Sequence, residues 1–259
     1  MEFQKPDLND LKKAKTILEN PSIAAKITNL IGTPIEKGFE LLPDNWNIKI
    51  GAVTQAALTK AVHAAIFTMK DSPGEETSNI WHKLAVATTG GIGGFLGLPA
   101  MSIELPISTT IILRSIVDIA RSEEENIYSD ETKIARLEVF ALGGPTSSDD
   151  ASESGYFTVR AALAQSVTKA AEYIAEKGLA EEGAPAFVRL IIRIAERFSI
   201  QVTEKAAAQA IPAIGAAGGA IINTIFIDHF QEMARGHFII RRLERKYGSE
   251  IVEETYKKI

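Results

Sequence analysis

LAVATTGGIGGFLGLPAMSIELPISTTIIL, residues 84–113, holds one formal charge, Glu104, and a second stretch, AAAQAIPAIGAAGGAIINTIFI at 206–227, holds none. Each approaches the ~20 apolar residues that cross a bilayer, yet both carry Gly and Pro where a simple span would carry Leu. Small residues let helix backbones approach closely, in lipid or in a tight bundle. The pairs Gly90/Gly94, Gly93/Gly97 and Gly215/Gly219 have the four-residue spacing that puts such residues on one helix face. The expected arrangement is a buried pair of helical segments, with Gly90, Gly94, Gly97, Gly215 and Gly219 at close helix contacts. Lipid contact by the same pair is the alternative.

Helical spacing extends outward from these segments over nearly the whole chain, and period-2 alternation is almost absent. Trp46 to Ile50 is the one stretch that reads as a candidate strand. Asn20 and Pro21 have the chemistry of a helix N-cap and first position, giving a helix to about Leu42 that Pro34 kinks or splits. Further helices are predicted over 51–69, ended by the turn-forming Asp71-Ser72-Pro73-Gly74, and from near Ser78. The acidic run Glu123 to Glu125 is expected to bring the helix through Ile116, Ile119 and Ala120 to the surface. Ile134, Leu137 and Ala141 share an apolar face on the next helix. GGPTSSDDASESG, residues 143–155, is the most polar and least periodic part and reads as a mobile surface loop. Beyond it, Val159, Leu163, Val167, Ala170 and Ile174 mark an amphipathic helix to about Gly178. Another runs from Ala186 to about Ala208, a basic helix lies around Arg235 to Tyr247, and a short one starts at Ser249. The fold class is therefore all-α. One domain is expected over 1–259, with its core at about 20–248, in which amphipathic helices surround the Gly/Ala-rich pair.

The chain of 259 residues can bury a full core, and it is 46% hydrophobic and 24% charged with a mean hydropathy of +0.04. A net charge of −5 and a pI near 5.5 give no basic footprint, so nucleic acid is not an expected partner. The absence of cysteine excludes disulfides, thiolate metal sites and cysteine nucleophiles, and fits a reducing compartment. The polar, lysine-rich start MEFQKPDLNDLKKAK lacks the apolar run of a signal peptide. The expected location is the cytoplasm, with a peripheral position at the inner face of the cell membrane.

Two blocks carry a resemblance. WHKLAVATTGGIGGFLGLPAMSIELPISTTIILRSIVDIA, residues 81–120, is similar to the Gly-rich entry, G-F-x-G-L-P turn, acid-Leu-Pro step and apolar helix of the EcsC family. IPAIGAAGGAIINTIFIDHFQEMARGHFIIRRLERKYG, residues 211–248, is similar to that family's P-x-I-G-A-x-G-G-A-x-x-N segment and basic close. The founding bacterial member is encoded beside an ABC transporter, so the resemblance implies a cytoplasmic neighbour of a membrane complex. It implies no activity and no cofactor. Relatives often carry Asp at the central acid; Glu104 keeps the charge on a longer side chain.

Glu104 is the leading candidate for function, because a carboxylate in so apolar a stretch is expensive to bury unpaired. Arg114 in the same block, His82, and Asn223 from the second segment are candidate partners, with His229 a further member of the pocket or charge network. The glycines at 90, 91, 93, 94 and 97 make neither a dinucleotide fingerprint nor a P-loop. His63, His82, His229 and His237 are too scattered to chelate one ion, and neither H-E-x-x-H nor G-x-S-x-G occurs. No catalytic residue, metal or cofactor is expected. Arg235, Arg241, Arg242, Arg245 and Lys246 directly follow the second apolar segment, with Arg189, Arg193 and Arg197 a second basic stripe. Charge runs are usually solvated faces, but an apolar pair followed by a basic helix also suits an anionic leaflet, where each basic group is worth about 1 kcal/mol. The expected function is a non-enzymatic protein that associates with the membrane surface or a membrane complex of ABC-transporter type. The alternative is a hydrolase-like enzyme holding a lipid or other apolar small molecule in a pocket around Glu104.

Overall fold

The computed structural model describes residues 3–19, 23–32, 34–62, 97–144, 155–177, 185–211 and 215–259. Among these the chain is helical and contains no strand, so the all-α expectation holds. The helices are α1 (Lys5–Leu18), α2 (Ile23–Ile31), α3 (Glu36–Phe39), α4 (Trp46–Val62), α5 (Gly97–Ser122) and α6 (Asp130–Glu138), the last followed by a 3-10 turn at Val139–Ala141. Then come α7 (Gly155–Lys177), α8 (Pro185–Ala210), α9 (Gly215–Tyr247) and α10 (Ser249–Lys258).

Three sequence expectations need correction. Trp46 to Ile50 opens α4 instead of forming a strand. Its isoleucines suit a strand locally, but Trp46, Ile50, Thr54, Ala57, Leu58 and Ala61 are buried at helical spacing, and that period decides. The helix expected to reach Leu42 stops at Ile31 because Gly32 turns into the left-handed region at φ +64°, a common helix end; the break comes before Pro34. Glu125 is buried rather than carried to the surface. The expectations at 20–21, 63, 71–74, 78, 82 and 145–154 lie outside the described residues, as do Gly90 and Gly94.

The chain groups into two compact units. Unit 1 is Met1–Ser22, Ser115–Arg197 and His229–Ile259; unit 2 is Ile23–Arg114 and Phe198–Asp228. The boundaries fall inside α5, α8 and α9, so neither unit is one continuous stretch.

Unit 2 contains the described parts of both Gly/Ala-rich segments, 97–113 and 206–211 with 215–227. Its described core includes Ile23, Ile27, Ile50 and Leu58, none exposed, and the rings of Phe198 and Phe226 lie 6.0 Å apart. Each such side chain contributes roughly 1.5–3 kcal/mol by leaving water. The N-terminus of α2 is closed from α8, whose Glu204 carboxylate accepts the Ala24 N–H at 3.3 Å. Burial raises the Glu204 pKa, and this bond works against the shift. Pro106 sits inside α5, where the hydroxyls of buried Ser108 and Thr109 donate to the Leu105 carbonyl, so neither hydroxyl is left unsatisfied. Gly38 is pressed against the backbone of Ala207: a Cβ there would overlap the Ala207 carbonyl.

Unit 1 gathers α1, α6, α7, α10 and the remaining parts of α5, α8 and α9. Gly236 of α9 lets Leu18 of α1 close on the helix backbone. Gly143, at φ +75°, crosses directly over the ring of His229. The Lys15 ammonium donates to the carbonyls of Tyr256 and Ile259 at 3.0 and 2.8 Å, holding α1 to the end of α10. Basic groups suit that end, where carbonyls lack helical partners.

The expected packing glycines have different fates. Gly97 and Gly215 are the first residues of α5 and α9. A Cβ at Gly219 would meet nothing within 4 Å among the described residues. Gly38→Ala is therefore expected to destabilise by about 1–3 kcal/mol through overpacking against backbone. Gly219→Ala, in open space within a helix, should stabilise by roughly 0.5–1 kcal/mol. Chemical denaturation of the two variants checks the opposite signs.

Candidate functional site

Glu104 lies in α5 and is partly buried, its side chain 28% exposed. Its Oε1 accepts a hydrogen bond of 2.6 Å from Nζ of Lys205 on α8. The Lys205 side chain is only 2% exposed, and its ammonium also donates to Oδ1 of Asn223 on α9 at 2.9 Å. It lies 4.6 Å from the centre of the Phe226 ring, a cation–π contact. One buried cation therefore ties three helices of unit 2 together through a carboxylate, an amide and an aromatic face.

Of the partners expected for Glu104, Asn223 is in the cluster, but as a second acceptor for the same ammonium. Arg114 makes no ion pair among the described residues, His82 lies outside them, and His229 belongs to unit 1. Sequence reading missed Lys205 because it sits one residue before the uncharged stretch and passes for a boundary charge. The overlooked signal is its place on α8, one turn past buried Gln201, where a lysine faces inward.

The basic helix proves to be internally neutralised. Arg241 pairs with Glu125 and Glu131, both at 2.9 Å, and Arg242 with Asp10 at 2.7 Å and Glu123 at 2.9 Å. Arg245 also pairs with Glu125, and Lys246 with Asp7 at 2.6 Å. Arg235 is exposed, with no ion pair among the described residues. Burial works to raise the Glu125 carboxyl, but the Arg241 and Thr132 hydrogen bonds and the nearby Arg245 charge hold it below its ordinary value. Asp7 is held low by hydrogen bonds from Lys246 and Tyr247. In the second stripe, Arg197 donates from Nε to the Ala141 carbonyl at 3.0 Å.

A second polar cluster lies in the interior of unit 1. The Tyr156 hydroxyl and His237 Nδ1 share a hydrogen bond of 2.9 Å, and Arg160 grips both oxygens of Glu244 at 2.6 and 3.1 Å. Glu138 is buried beside them. Burial pushes its pKa up to about 7, with Arg160 and Arg241 opposing and Glu244 and Glu131 adding to the shift. Burial also drives His237 well below 6.5, helped by the charges of Arg160 and Arg241. Perturbed groups of this kind mark active sites when a substrate can reach them. Here Tyr156, Glu138 and His237 are all buried, and the cluster serves as a polar core. No group of three or more metal-ligating side chains occurs among the described residues.

The family profile described as the EcsC protein family matches residues 5–243. The chain belongs to the EcsC protein family. The match takes in both units, and with them the Glu104–Lys205–Asn223 cluster and most of α9. No curated protein and no solved structure matches this EcsC-family chain.

Removing Glu104 leaves the Lys205 ammonium buried with only an amide and a ring for company. Glu104→Ala is expected to cost about 3 kcal/mol, somewhat less than a fully buried pair because the carboxylate is partly solvated. Adding Lys205→Met should restore most of the loss, and a double-mutant unfolding cycle measures that coupling.

Glu138 and His237 make opposite contributions to the pH dependence of stability. Glu138 has a raised folded pKa, so its contribution is complete below about 4.5 and is lost as pH rises to about 7. His237 has a lowered one, so its contribution is complete above 6.5 and is lost as pH falls below it. The stability of wild type relative to Glu138→Gln should fall with rising pH between those limits, by up to about 1.4 kcal/mol per pH unit. Relative to His237→Asn it should rise with pH up to 6.5. Denaturation at several pH values reads both slopes.

Proposed function

We propose that this EcsC-family protein is a non-enzymatic membrane-surface protein, partnering the bilayer or a complex embedded in it, and that the apolar surface of unit 2 makes the contact. The observation that carries the reading is the distribution of exposed large hydrophobic residues. Of the ten found among the described residues, Leu30, Phe39, Leu41, Ile48, Ile103, Ile200 and Ile221 fall in unit 2. Leu30, Leu41 and Ile48 are 61%, 54% and 79% exposed and lie within a short stretch joining α2, α3 and α4. Exposed apolar side chains scattered singly need no explanation, but concentration in one region marks an interaction surface.

The contact is peripheral: no described helix is long and apolar enough to cross a membrane. It is also apolar in character, because Arg241, Arg242, Arg245 and Lys246 already have carboxylate partners and offer little to an anionic leaflet. The alternative, acid–base chemistry at Glu104 on a bound lipid, is disfavoured by the 2.6 Å bond that commits its Oε1 to Lys205.

Liposome flotation tests the reading. Wild type should float with zwitterionic vesicles and keep doing so at about 0.5 M salt, where surface charge is screened. Leu41→Glu/Ile48→Glu should lose most of that association while melting normally. Wild type that floats with no vesicle, or a double variant that floats as well as wild type, overturns it.

A further inference from the structure

Among the described residues all but one of the cations of α9 find close carboxylate partners, whereas the cations that line one groove between α7 and α8 have a single long ion pair among them. Between these helices in unit 1 lies a groove of about 360 Å³ whose lining includes Ser166 and Lys169 from α7 and Arg189, Ile192, Arg193 and Glu196 from α8. Neither Lys169 nor Arg189 has a carboxylate partner among the described residues. Arg189 uses Nε to donate to the Pro185 carbonyl at 3.0 Å, which fixes the base of its guanidinium. Arg193 and Glu196 are 3.6 Å apart with side chains 65% and 58% exposed, too long for a hydrogen bond and too solvated to be strong. Three cations and one carboxylate thus line the groove, in a chain whose net charge is −5.

We propose that the α7/α8 groove binds the phosphate monoester group of a small molecule or a lipid headgroup. Arg189 and Arg193 stand one helical turn apart and both line the groove, so one anion bound there lies within reach of both guanidinium groups. Planar forks match phosphate oxygens in pairs, and Lys169 adds a point charge from the opposite wall. The Ser166 hydroxyl is placed to donate to a phosphate oxygen, and Ile192 gives an apolar floor for whatever the phosphate is attached to. The volume falls at the small end of ligand pockets, which limits the soluble candidates to compact phosphate esters. This site does not depend on the membrane reading, which rests on unit 2.

The test uses the full chain with inorganic phosphate and phenyl phosphate, titrated calorimetrically at constant ionic strength, and flotation with phosphatidylcholine vesicles with and without phosphatidic acid. Arg189→Gln/Arg193→Gln should weaken binding at least about tenfold without changing the melting temperature, since these side chains are solvated. Lys169→Gln should weaken it in the same direction and preserves the test if the double variant melts early. Saturable, arginine-dependent binding of the soluble probes identifies a free phosphate ester. An arginine-dependent preference for phosphatidic acid vesicles, without binding of the soluble probes, identifies a lipid headgroup. No saturable binding of either kind, or binding that Arg189→Gln/Arg193→Gln leaves unchanged, overturns the proposal.

Discussion

Helix α9 is enclosed on nearly every side between His229 and Leu243, where Phe230, Met233, Ala234, Gly236, His237, Phe238, Ile239 and Ile240 are all buried. A helix enclosed in this way is ordinarily apolar all round. This one runs straight on into Arg241 and Arg242, which are largely withdrawn from water, and then into the exposed Arg245 and Lys246, and desolvated cations are costly unless answered. The surrounding chain supplies the answers: Asp7 and Asp10 from α1, Glu123 and Glu125 from the turn after α5, and Glu131 from α6. That turn contains Glu124 at φ +62°, a conformation a non-glycine residue adopts only at some cost. The kink lets the residues on either side of Glu124 reach different arginines of α9. The charges of one helix thus fix where three other segments of unit 1 must lie.

Unit 2 follows the opposite rule. Its described core is mainly aliphatic and aromatic, and among the described residues its buried cation, Lys205, is met by one carboxylate. Glu104, Asn223 and Phe226 accept that ammonium from two helices whose facing surfaces would otherwise offer only undirected apolar contact. Such contact alone tolerates sliding, whereas a buried polar group accepts one register and penalises the rest. The pin has another consequence: with Glu104 engaged, the strongest candidate for chemistry in the sequence becomes an element of architecture.

Helices were legible because their signals are local. Apolar spacing in Val159–Leu163–Ala170–Ile174 and the separate short helix from Ser249 each rest on neighbours in sequence, and the structure has them as α7 and α10. Glu104 was legible as unusual because an isolated acid in an apolar run is itself a local anomaly. Its partner was not, since Lys205 lies 101 residues away. The basic helix was misleading for the same reason. Arg241 and Glu125 are 116 residues apart, so each reads alone as a solvated surface charge, and only folding shows that they neutralise one another. Glycine spacing was ambiguous in a different way: the pattern that brings backbones together is identical to one that leaves a gap, and among the described residues Gly219 has open space beside it while Gly38, outside any such motif, is pressed against a backbone.

If the protein works at a membrane surface as proposed, these two modes of stabilisation constrain how it meets the bilayer. A chain of net charge −5 whose α9 cations are spent internally gains little by approaching an anionic leaflet and is mildly repelled by it. Attraction must then come from apolar burial in unit 2, where each of Leu30, Leu41 and Ile48 contributes at most about 1.5–3 kcal/mol if fully withdrawn from water. Shallow insertion realises only part of that, and ordering the protein at the surface offsets more. The balance is comparable to a single short acyl chain, which holds a protein to a bilayer only marginally and reversibly. Durable attachment would therefore require a second contact besides these side chains.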